Sequence, residues 1–165
     1  MFKIGEKIIY KRDLCIVKDI INIHSKKYYK LIPVSDNTLT INVPTDNKEK
    51  NLRYPITKKE AEKLIKKIPD INAITTNDKL LEQVYKKLMK TNKHEDLIKI
   101  IKTTYLRNEE RRNNGKKETD KDLSFFKQAE EYLYNELSIS LNMNYEECKK
   151  YIIKEVINEE KSNAK

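Results

Sequence analysis

From Lys3 to about Pro44, hydrophobic and polar positions alternate along the chain, and β-branched side chains are frequent. The alternating strings are KIGEKIIYK, LCIVKDIINIH, KYYKLIPV and TLTINV, with polar turns at KRD, SK and SDN. A period of two predicts four or five short antiparallel strands. Because about 55 residues are too few for a sandwich, we expect a small, strongly bent sheet or partly open barrel with exposed edges.

After Pro55 the spacing of the hydrophobic residues becomes helical. They recur three and four residues apart in five segments: Ala61, Leu64, Ile65, Ile68; Leu81, Val84, Leu88; Leu97, Ile101, Tyr105; Leu123, Phe126, Ala129, Leu133, Leu137; and Tyr145, Cys148, Ile152, Val156. Each stripe covers a narrow face, so the helices must bury these faces against one another. The sequence predicts an α+β protein whose β region is followed by an all-α five-helix bundle.

Four of the predicted helices begin with the spacing of a capping box. A polar residue is followed three residues later by an acidic one at Thr57-x-x-Glu60, Asn92-x-x-Glu95, Thr119-x-x-Asp122 and Asn144-x-x-Glu147. This spacing is typical of a helix start. The polar segment 47–56 is the expected join, so we predict one domain over residues 1–55 and another over residues 57–165.

Composition and length narrow the class of protein. Charged residues make up 37% of the 165 residues and hydrophobic residues 38%, which is typical of a globular chain. No apolar run approaches the roughly 20 residues that span a bilayer, and the N-terminal stretch lacks the hydrophobic region of a signal peptide. We therefore expect a cytoplasmic protein without membrane contact.

Residues that carry catalysis or hold cofactors are scarce. Two glycines in the whole chain leave no phosphate-binding glycine-rich loop. Cys15 and Cys148 lie far apart and are expected to be small apolar packers, without a disulfide or zinc site. His24, in a predicted hairpin, and His94, near a helix start, are expected to be exposed polar residues. Three glutamate pairs are expected to be solvated partners of nearby basic residues: Glu109-Glu110, Glu130-Glu131 and Glu146-Glu147. We expect no catalytic site, no cofactor and no metal.

Positive charge is concentrated in the middle of the helical region. The chain carries a net charge of +9, and residues 79–121 hold 13 basic against 7 acidic residues, whereas residues 122–165 hold 6 against 9. Phosphate backbones bind such cations with little regard to base sequence, so nucleic acid is the first partner to consider. Two other interpretations stay open: a solvated helix face, and lysine enrichment from an AT-rich genome, since 30 of the 35 basic residues are lysine.

The helix predicted over ITTNDKLLEQVYKKLMK has a polar first turn and a basic side. The spacing places four polar residues opposite its hydrophobic stripe, namely Lys79, Gln83, Lys86 and Lys90. Further cations follow at the end of the next helix and in the loop after it: Arg107, Arg111, Arg112, Lys116, Lys117 and Lys121. No zinc finger or aromatic RNA-binding signature accompanies them, so backbone contact is favoured over base reading.

Five strings are more specific than the general pattern: KIGEKIIY, YYKLIPVSDNTLTINVPTDN, ITKKEAEKLI, LIKIIKTTYLRNEERR and FFKQAEEYLYNEL. In this order, and over nearly the whole chain, they resemble the CarD family of bacterial transcription regulators. The resemblance implies a Tudor-like (SH3-like) N-terminal domain that binds the β-subunit lobe of RNA polymerase. It also implies a helical domain that touches promoter DNA at the upstream edge of the transcription bubble and modulates the stability of the open complex. A monomer without cofactors is expected.

The resemblance also names candidate residues on the polymerase-binding strands: Ile23, Tyr29, Thr40 and Asn42. Family members usually carry arginines at the positions of Ile23 and Asn42, so electrostatic docking is weaker here. Pairing through an exposed strand edge uses main-chain groups and remains possible.

On the helical side, the resemblance places Asn77 where the family has a tryptophan that wedges into the minor groove. Of the basic residues that follow it in the family, Lys79 is kept, whereas Glu82 and Leu123 replace two others. An asparagine cannot insert between bases as a ring does, so we expect a helix cap with a secondary contact to DNA. The candidate set for backbone and minor-groove contact is Asn77, Lys79, Lys86, Lys116, Lys117, Lys121 and Lys127.

Three functional interpretations follow. The leading one is a non-enzymatic, polymerase-binding regulator with weak, backbone-dominated DNA contact. The second is a protein-interaction adaptor that binds polymerase and has lost the DNA function, which the missing tryptophan favours. The third is an enzyme with an unrecognised site, for which the sequence offers no candidate residues.

Overall fold

A computed structural model describes the backbone of residues 1–163 and the side chains of residues 1–155. The chain divides after Ile56 into two compact units, a β unit followed by a helical unit. The predicted stripe residue Val156 lies outside the residues whose side chains are described. No helix within the described residues is long and apolar enough to cross a membrane.

The β unit is one open antiparallel sheet. Its strands are β1 (Lys7–Tyr10), β2 (Asp13–Ile23), β3 (Lys26–Pro33), β4 (Ile41–Pro44) and β5 (Leu52–Arg53), in the order β4-β3-β2-β1-β5. The predicted short antiparallel strands and exposed edges are confirmed, and the two edge strands are β4 and β5. Strand β1 is shorter than its alternating string, because residues 4 and 5 form a turn before it.

The β2–β3 hairpin is closed by a turn at His24 and Ser25, one residue earlier than the turn predicted at Ser25 and Lys26. Ile23 pairs with Lys26, so the loop has two residues, and both have positive φ angles of 45° and 65°. Two positive φ angles give the twist that matches neighbouring strands. A bulge between Val17 and Asp19 bends β2 further.

The core of the β unit lies on one face of the sheet, around Ile8, Val17 and Leu31, all fully buried. Tyr29 is 1% exposed, and its hydroxyl accepts a hydrogen bond from the backbone N–H of Phe2 at 3.1 Å. Cys15 is a free, buried thiol, as expected for a packer, and burial raises its pKa to about 12.

The segment expected to be a plain join carries the fifth strand. The side chain of Asn47 accepts a hydrogen bond from the N–H of Leu52 at 3.0 Å and donates one to its carbonyl oxygen at 2.9 Å. Leu52 then pairs with Tyr10. A two-residue strand is too short to show alternation, so the sequence pattern could not reveal it.

The helical unit contains the five expected helices: α1 (Lys58–Lys67), α2 (Asp78–Met89), α3 (His94–Asn113), α4 (Asp120–Ser140) and α5 (Tyr145–Asn163), with a 3-10 turn over Ile68–Asp70 after α1. The helical content of the prediction is therefore confirmed. Residues between the 3-10 turn and α2 form an irregular segment.

Most of the predicted helix starts are confirmed by their hydrogen bonds. Thr57 and Glu60 form a full capping box on α1, and Thr119 accepts a hydrogen bond from the N–H of Asp122 on α4. The prediction at Asn92 is wrong: α3 is preceded by Lys93, without a side-chain cap. The polar side chain that reaches the first turn of α3 is that of Thr91, which donates to the buried carboxylate of Asp96 at 2.6 Å.

The predicted hydrophobic stripes match the buried face of a helix when that face contains apolar residues only. All four stripe residues of α1 are buried. On α2, Leu81 is buried, but the fully buried partner is Tyr85, and Val84 and Leu88 are half-buried. The predicted stripe therefore left out Tyr85, the most buried residue of α2, because its hydroxyl makes it a less clearly apolar residue.

The stripes of α3 and α4 are each wrong at one position. Tyr105 is 50% exposed and Leu123 is 47% exposed, whereas Thr104 and Asp122 are buried in their neighbourhood. Thr104 donates a hydrogen bond to the carbonyl oxygen of Ile100 at 2.8 Å, which satisfies its hydroxyl. Buried polar residues shift each face away from the hydrophobic pattern.

Replacing Thr57 with alanine should lower the free energy of unfolding by about 1 kcal/mol, because the N–H of Glu60 loses the side-chain oxygen that accepts its hydrogen bond. Asn92→Ala is the matched control, since Asn92 is exposed and does not cap α3; it should change stability by less than about 0.5 kcal/mol. Urea unfolding followed by helical circular dichroism measures both. Equal losses in the two variants would contradict the assigned starts of α1 and α3.

Candidate functional site

A network of charged and aromatic side chains joins α2, α3 and α4 at one end of the helical unit. Arg107 of α3 donates from Nη1 to Asp78 Oδ1 at 2.8 Å and from Nε to Asp122 Oδ2 at 3.1 Å. The Tyr85 hydroxyl donates to Asp122 Oδ1 at 3.2 Å. The side chain of Asp122, on α4, is 2% exposed. Its carboxylate is buried between Tyr85 of α2 and Arg107 of α3, and Arg107 balances its charge.

Burial and the neighbouring charge act together on Tyr85. Burial is the larger cause and the charge of Asp122 the next, and both raise the pKa of Tyr85 above its ordinary value. The phenol therefore stays protonated and remains a donor to Asp122 at neutral pH. We call Asp78, Tyr85, Arg107 and Asp122 the Arg107 network.

Asn77 is the N-cap of α2, as predicted. Its Oδ1 accepts a hydrogen bond from the N–H of Leu80 at 3.1 Å. The side-chain oxygen is thereby used within the helix, whereas the amide nitrogen can still donate. The structure shows the capping role; a contact with DNA stays a proposal.

The basic side of α2 lies where the sequence predicts it. At about 100° per residue, Lys79, Gln83, Lys86 and Lys90 point away from the buried Leu81, and all four are exposed. Lys79 and Lys90 form no ion pair within the part of the chain that the structure describes.

Two of the lysines predicted to contact DNA, Lys86 and Lys121, form ion pairs with Glu82. Its carboxylate lies 2.6 Å from Lys121 Nζ of α4 and 3.2 Å from Lys86 Nζ of its own helix. Hydrogen bonds from Lys121 and then from Lys86 lower the pKa of Glu82. The position that carries a basic residue in the resembled family is here an acid that partly neutralises its neighbours.

The turn between α3 and α4 presents basic residues without acidic partners. Gly115 has a positive φ of 68°, and the N–H of Lys116 donates to the carbonyl oxygen of Arg111 at 2.8 Å. This turn folds Lys116 back over the end of α3, so that it lines one polar depression with Arg111. Lys116, Lys117 and Arg111 form no ion pair among the described residues. Together with Lys79 they form what we call the tip cations.

Arg107 and Lys127 differ from the sequence-based picture of a single basic face. Arg107 is held between two aspartates and is 24% exposed, so it is not a free cation. Lys127 is exposed but lies seven residues beyond the first residue of α4, about 10 Å along the helix. The structure gives Lys127 no link to the Arg107 network.

On the β unit the structure separates the four predicted polymerase-binding residues. Asn42 is exposed on the edge strand β4, and Thr40 is exposed just before it. Ile23 ends β2, two strands away from β4. The side chain of Tyr29 is in the core and is not available for a partner contact.

Two exposed hydrophobic residues beside β4 were missed by the sequence interpretation. Val34 is 44% exposed and Leu39 is 52% exposed in the connection between β3 and β4. Both residues belong to strings that were assigned to strands, KYYKLIPV and TLTINV, but the strands end at Pro33 and begin at Ile41, which leaves Val34 and Leu39 in the connection. An exposed leucine next to an open strand edge is suited to contact with another protein.

The expectations for His94 and Glu130 are wrong. The side chain of His94 is 17% exposed, and its Nε2 lies 2.9 Å from Oε2 of Glu136 on α4, which is 4% exposed. Glu130 is also buried, and its Oε2 lies 3.2 Å from Lys149 Nζ of α5. These pairs join different helices, so spacing within one helix could not reveal them.

Among the described residues, no group of three or more His, Cys, Asp or Glu side chains is arranged so that it could hold a metal ion. Both cysteines are free and buried, and burial raises the pKa of Cys148 to about 11.

Comparison of the chain with protein-family models gave no match, and comparison with curated proteins gave none either. The resemblance to the CarD family therefore remains a basis for a proposal about function.

Tyr85→Phe should lower the free energy of unfolding by about 1 to 3 kcal/mol, because the buried carboxylate of Asp122 loses a donor. Tyr105→Phe removes the same hydroxyl from an exposed ring on α3 and should change stability by less than about 0.5 kcal/mol. Chemical denaturation of the two variants measures the difference. A loss for Tyr85→Phe no larger than that for Tyr105→Phe would contradict a structural role for this hydrogen bond.

Proposed function

We propose that this chain is a non-enzymatic transcription regulator that binds bacterial RNA polymerase and contacts promoter DNA. Its β unit is a Tudor-like domain that docks on the β-subunit lobe, and its helical unit lies against the DNA backbone at the upstream edge of the bubble. Such contact changes the lifetime of the open complex. The observation that carries the proposal is the group of tip cations, which form no ion pair among the described residues. Three of them, Lys79, Lys116 and Lys117, are exposed, and Arg111 is half-buried.

The docking surface on the β unit is the free edge of β4. An open edge offers main-chain N–H and C=O groups to an added strand, and affinity then depends little on charge. This suits a surface in which Ile23 and Asn42 take the place of the family's arginines. Leu39 supplies exposed apolar area beside the edge, and one buried apolar anchor can provide much of the affinity of an interface.

The DNA contact is dominated by phosphates. Lys79, Lys116 and Lys117 are exposed lysines near the ends of α2 and α3, and lysine binds phosphate mainly as a point charge. Asn77 can donate from its amide nitrogen to a phosphate or a base edge, but it cannot offset the few kcal/mol that unstacking a base step costs. We therefore propose weak, salt-sensitive binding without sequence preference.

A second candidate is an adaptor that binds polymerase without DNA. The observation that favours it is internal ion pairing: Lys86 and Lys121 share Glu82, and Arg107 is held by two aspartates. Several cations counted from the sequence are thus neutralised. The salt dependence of DNA binding separates the two candidates, since the adaptor requires none.

Leu39→Asp should weaken binding of the full chain to the isolated β lobe by about tenfold, because a charge then replaces the apolar residue beside β4. Leu106→Asp is the matched control, since Leu106 is also 52% exposed but lies on α3; it should leave binding unchanged. Biolayer interferometry with immobilised lobe measures both. A parent chain that does not bind the lobe would remove the proposal, and equal losses would remove the assigned surface.

The double change Lys116→Ala with Lys117→Ala should reduce the slope of log affinity against log salt by at most about two units on a forked duplex, since each lysine meets at most one phosphate. Lys58→Ala with Lys59→Ala removes the same charge from the start of α1, where both lysines are exposed, and should leave the slope nearly unchanged. Fluorescence anisotropy over a range of salt concentrations gives the slopes. A flat dependence in the parent would favour the adaptor.

A further inference from the structure

The Arg107 network has one exposed end and one buried end. The carboxylate of Asp122 is 2% exposed, whereas that of Asp78 is 77% exposed, and Arg107 bridges them. A buried carboxylate strongly retains its partner, because an unpaired charge away from water is unfavourable. Arg107 is therefore fixed by α4 and is presented from there to the first residue of α2.

The bridge is one of the hydrogen-bonded links between α3 and the start of α2; another joins the backbone N–H of Ile74, before the helix, to Thr103 Oγ1 at 2.8 Å. Asn77 caps the turn from within α2, so the cap orders the turn without attaching it to another helix. Leu80 is 46% exposed, and deep burial of α2 begins at Leu81. Asp78, in contrast, reaches α3 through Arg107 at 2.8 Å.

We propose that Arg107 is a positioning residue for DNA contact and not itself a phosphate ligand. Held by Asp122, it binds Asp78, which lines the depression at the α3–α4 turn together with Arg111 and Lys116. It thereby sets the place of the two residues that flank Asp78 in the chain, Asn77 and Lys79. Asp78 is thus an acid that aids the binding of a polyanion. This inference rests on the proposed DNA contact.

The sign of one substitution distinguishes this role from simple electrostatics. Removing an acidic residue close to a DNA surface lowers repulsion and should strengthen binding. If Asp78 positions the tip, its removal should instead weaken binding relative to removal of an equivalent acid. Simple electrostatics and the positioning role thus predict changes in DNA affinity of opposite sign, and a matched pair of variants distinguishes them.

Asp120 is the equivalent acid. Like Asp78, it is the first residue of a helix and follows a side-chain cap, and it is exposed. Asp120 forms no ion pair within the residues that the structure describes. Each change to asparagine removes one charge and the same interaction with a helix dipole, so only the link to Arg107 differs between the two variants.

The experiment measures forked-duplex affinity by fluorescence anisotropy for the full-length parent and for Asp78→Asn, Asp120→Asn and Asp78→Glu. Asp120→Asn should bind at least as tightly as the parent. Asp78→Asn should bind about two- to fivefold more weakly than Asp120→Asn, the range expected for one exposed ion pair. Asp78→Glu keeps the carboxylate and should bind within about twofold of the parent.

A second readout does not involve DNA. Amide hydrogen exchange at Leu80 and Leu81 should accelerate in Asp78→Asn and not in Asp120→Asn, because only the first variant frees this turn. Equal affinities of the two asparagine variants, in a parent that binds with steep salt dependence, would overturn the positioning role and leave the proposed function in place. A parent without salt-dependent binding would overturn both.

Discussion

The helical unit is organised around the buried carboxylate of Asp122. A carboxylate that is 2% exposed is tolerated only with charge and hydrogen-bond partners, and here those are Arg107 and Tyr85 from two other helices. The same residue lies in the first turn of α4, and its N–H is capped by Thr119. Local capping and long-range pairing thus meet in one side chain, which fixes how the ends of α2, α3 and α4 come together.

This arrangement changes what the positive charge of the chain means. A count along the sequence treats each lysine and arginine between residues 79 and 121 as equally available. The structure divides them into cations paired with carboxylates, such as Arg107 and Lys121, and cations without an ion pair among the described residues, such as Lys79 and Lys116. Under the proposed function, the paired cations are already partly neutralised, so the expected salt dependence is smaller than the net charge implies.

What the sequence could predict was set by the range of the interactions. Strand alternation and the caps at Thr57, Asn77 and Thr119 depend on neighbours within a few residues, and they were predicted correctly. Pairs such as His94 with Glu136 are 42 residues apart. No spacing rule within one element can find such a pair, because its two members carry independent local patterns.

The candidate site shows the same division. Exposure of the lysines on α2 followed from helical periodicity, and the pair of Lys86 with Glu82 is an i,i+4 pair within that helix. The second partner of Glu82, Lys121, depended on which turn of α4 lies opposite. Tyr29 shows the limit of the resemblance on the β unit. The resemblance names it as a partner-binding residue, but its side chain is buried in the core, so only its burial in the structure shows that a partner cannot contact it.

The cap at Asn77 also bears on how this tip can act on DNA. Its side-chain oxygen is used by the N–H of Leu80, so the residue that stands in for an inserting tryptophan is ordered along the helix instead of being presented for insertion. A short amide held in this way can steady a backbone or donate to a base edge, but it offers no ring to fill the gap left by an unstacked base. Under the proposed function, this end of α2 approaches the duplex as a charged surface whose Asp78 is held by Arg107. An effect on the open complex then comes from holding the DNA in place, since Asn77 offers no ring for insertion between bases.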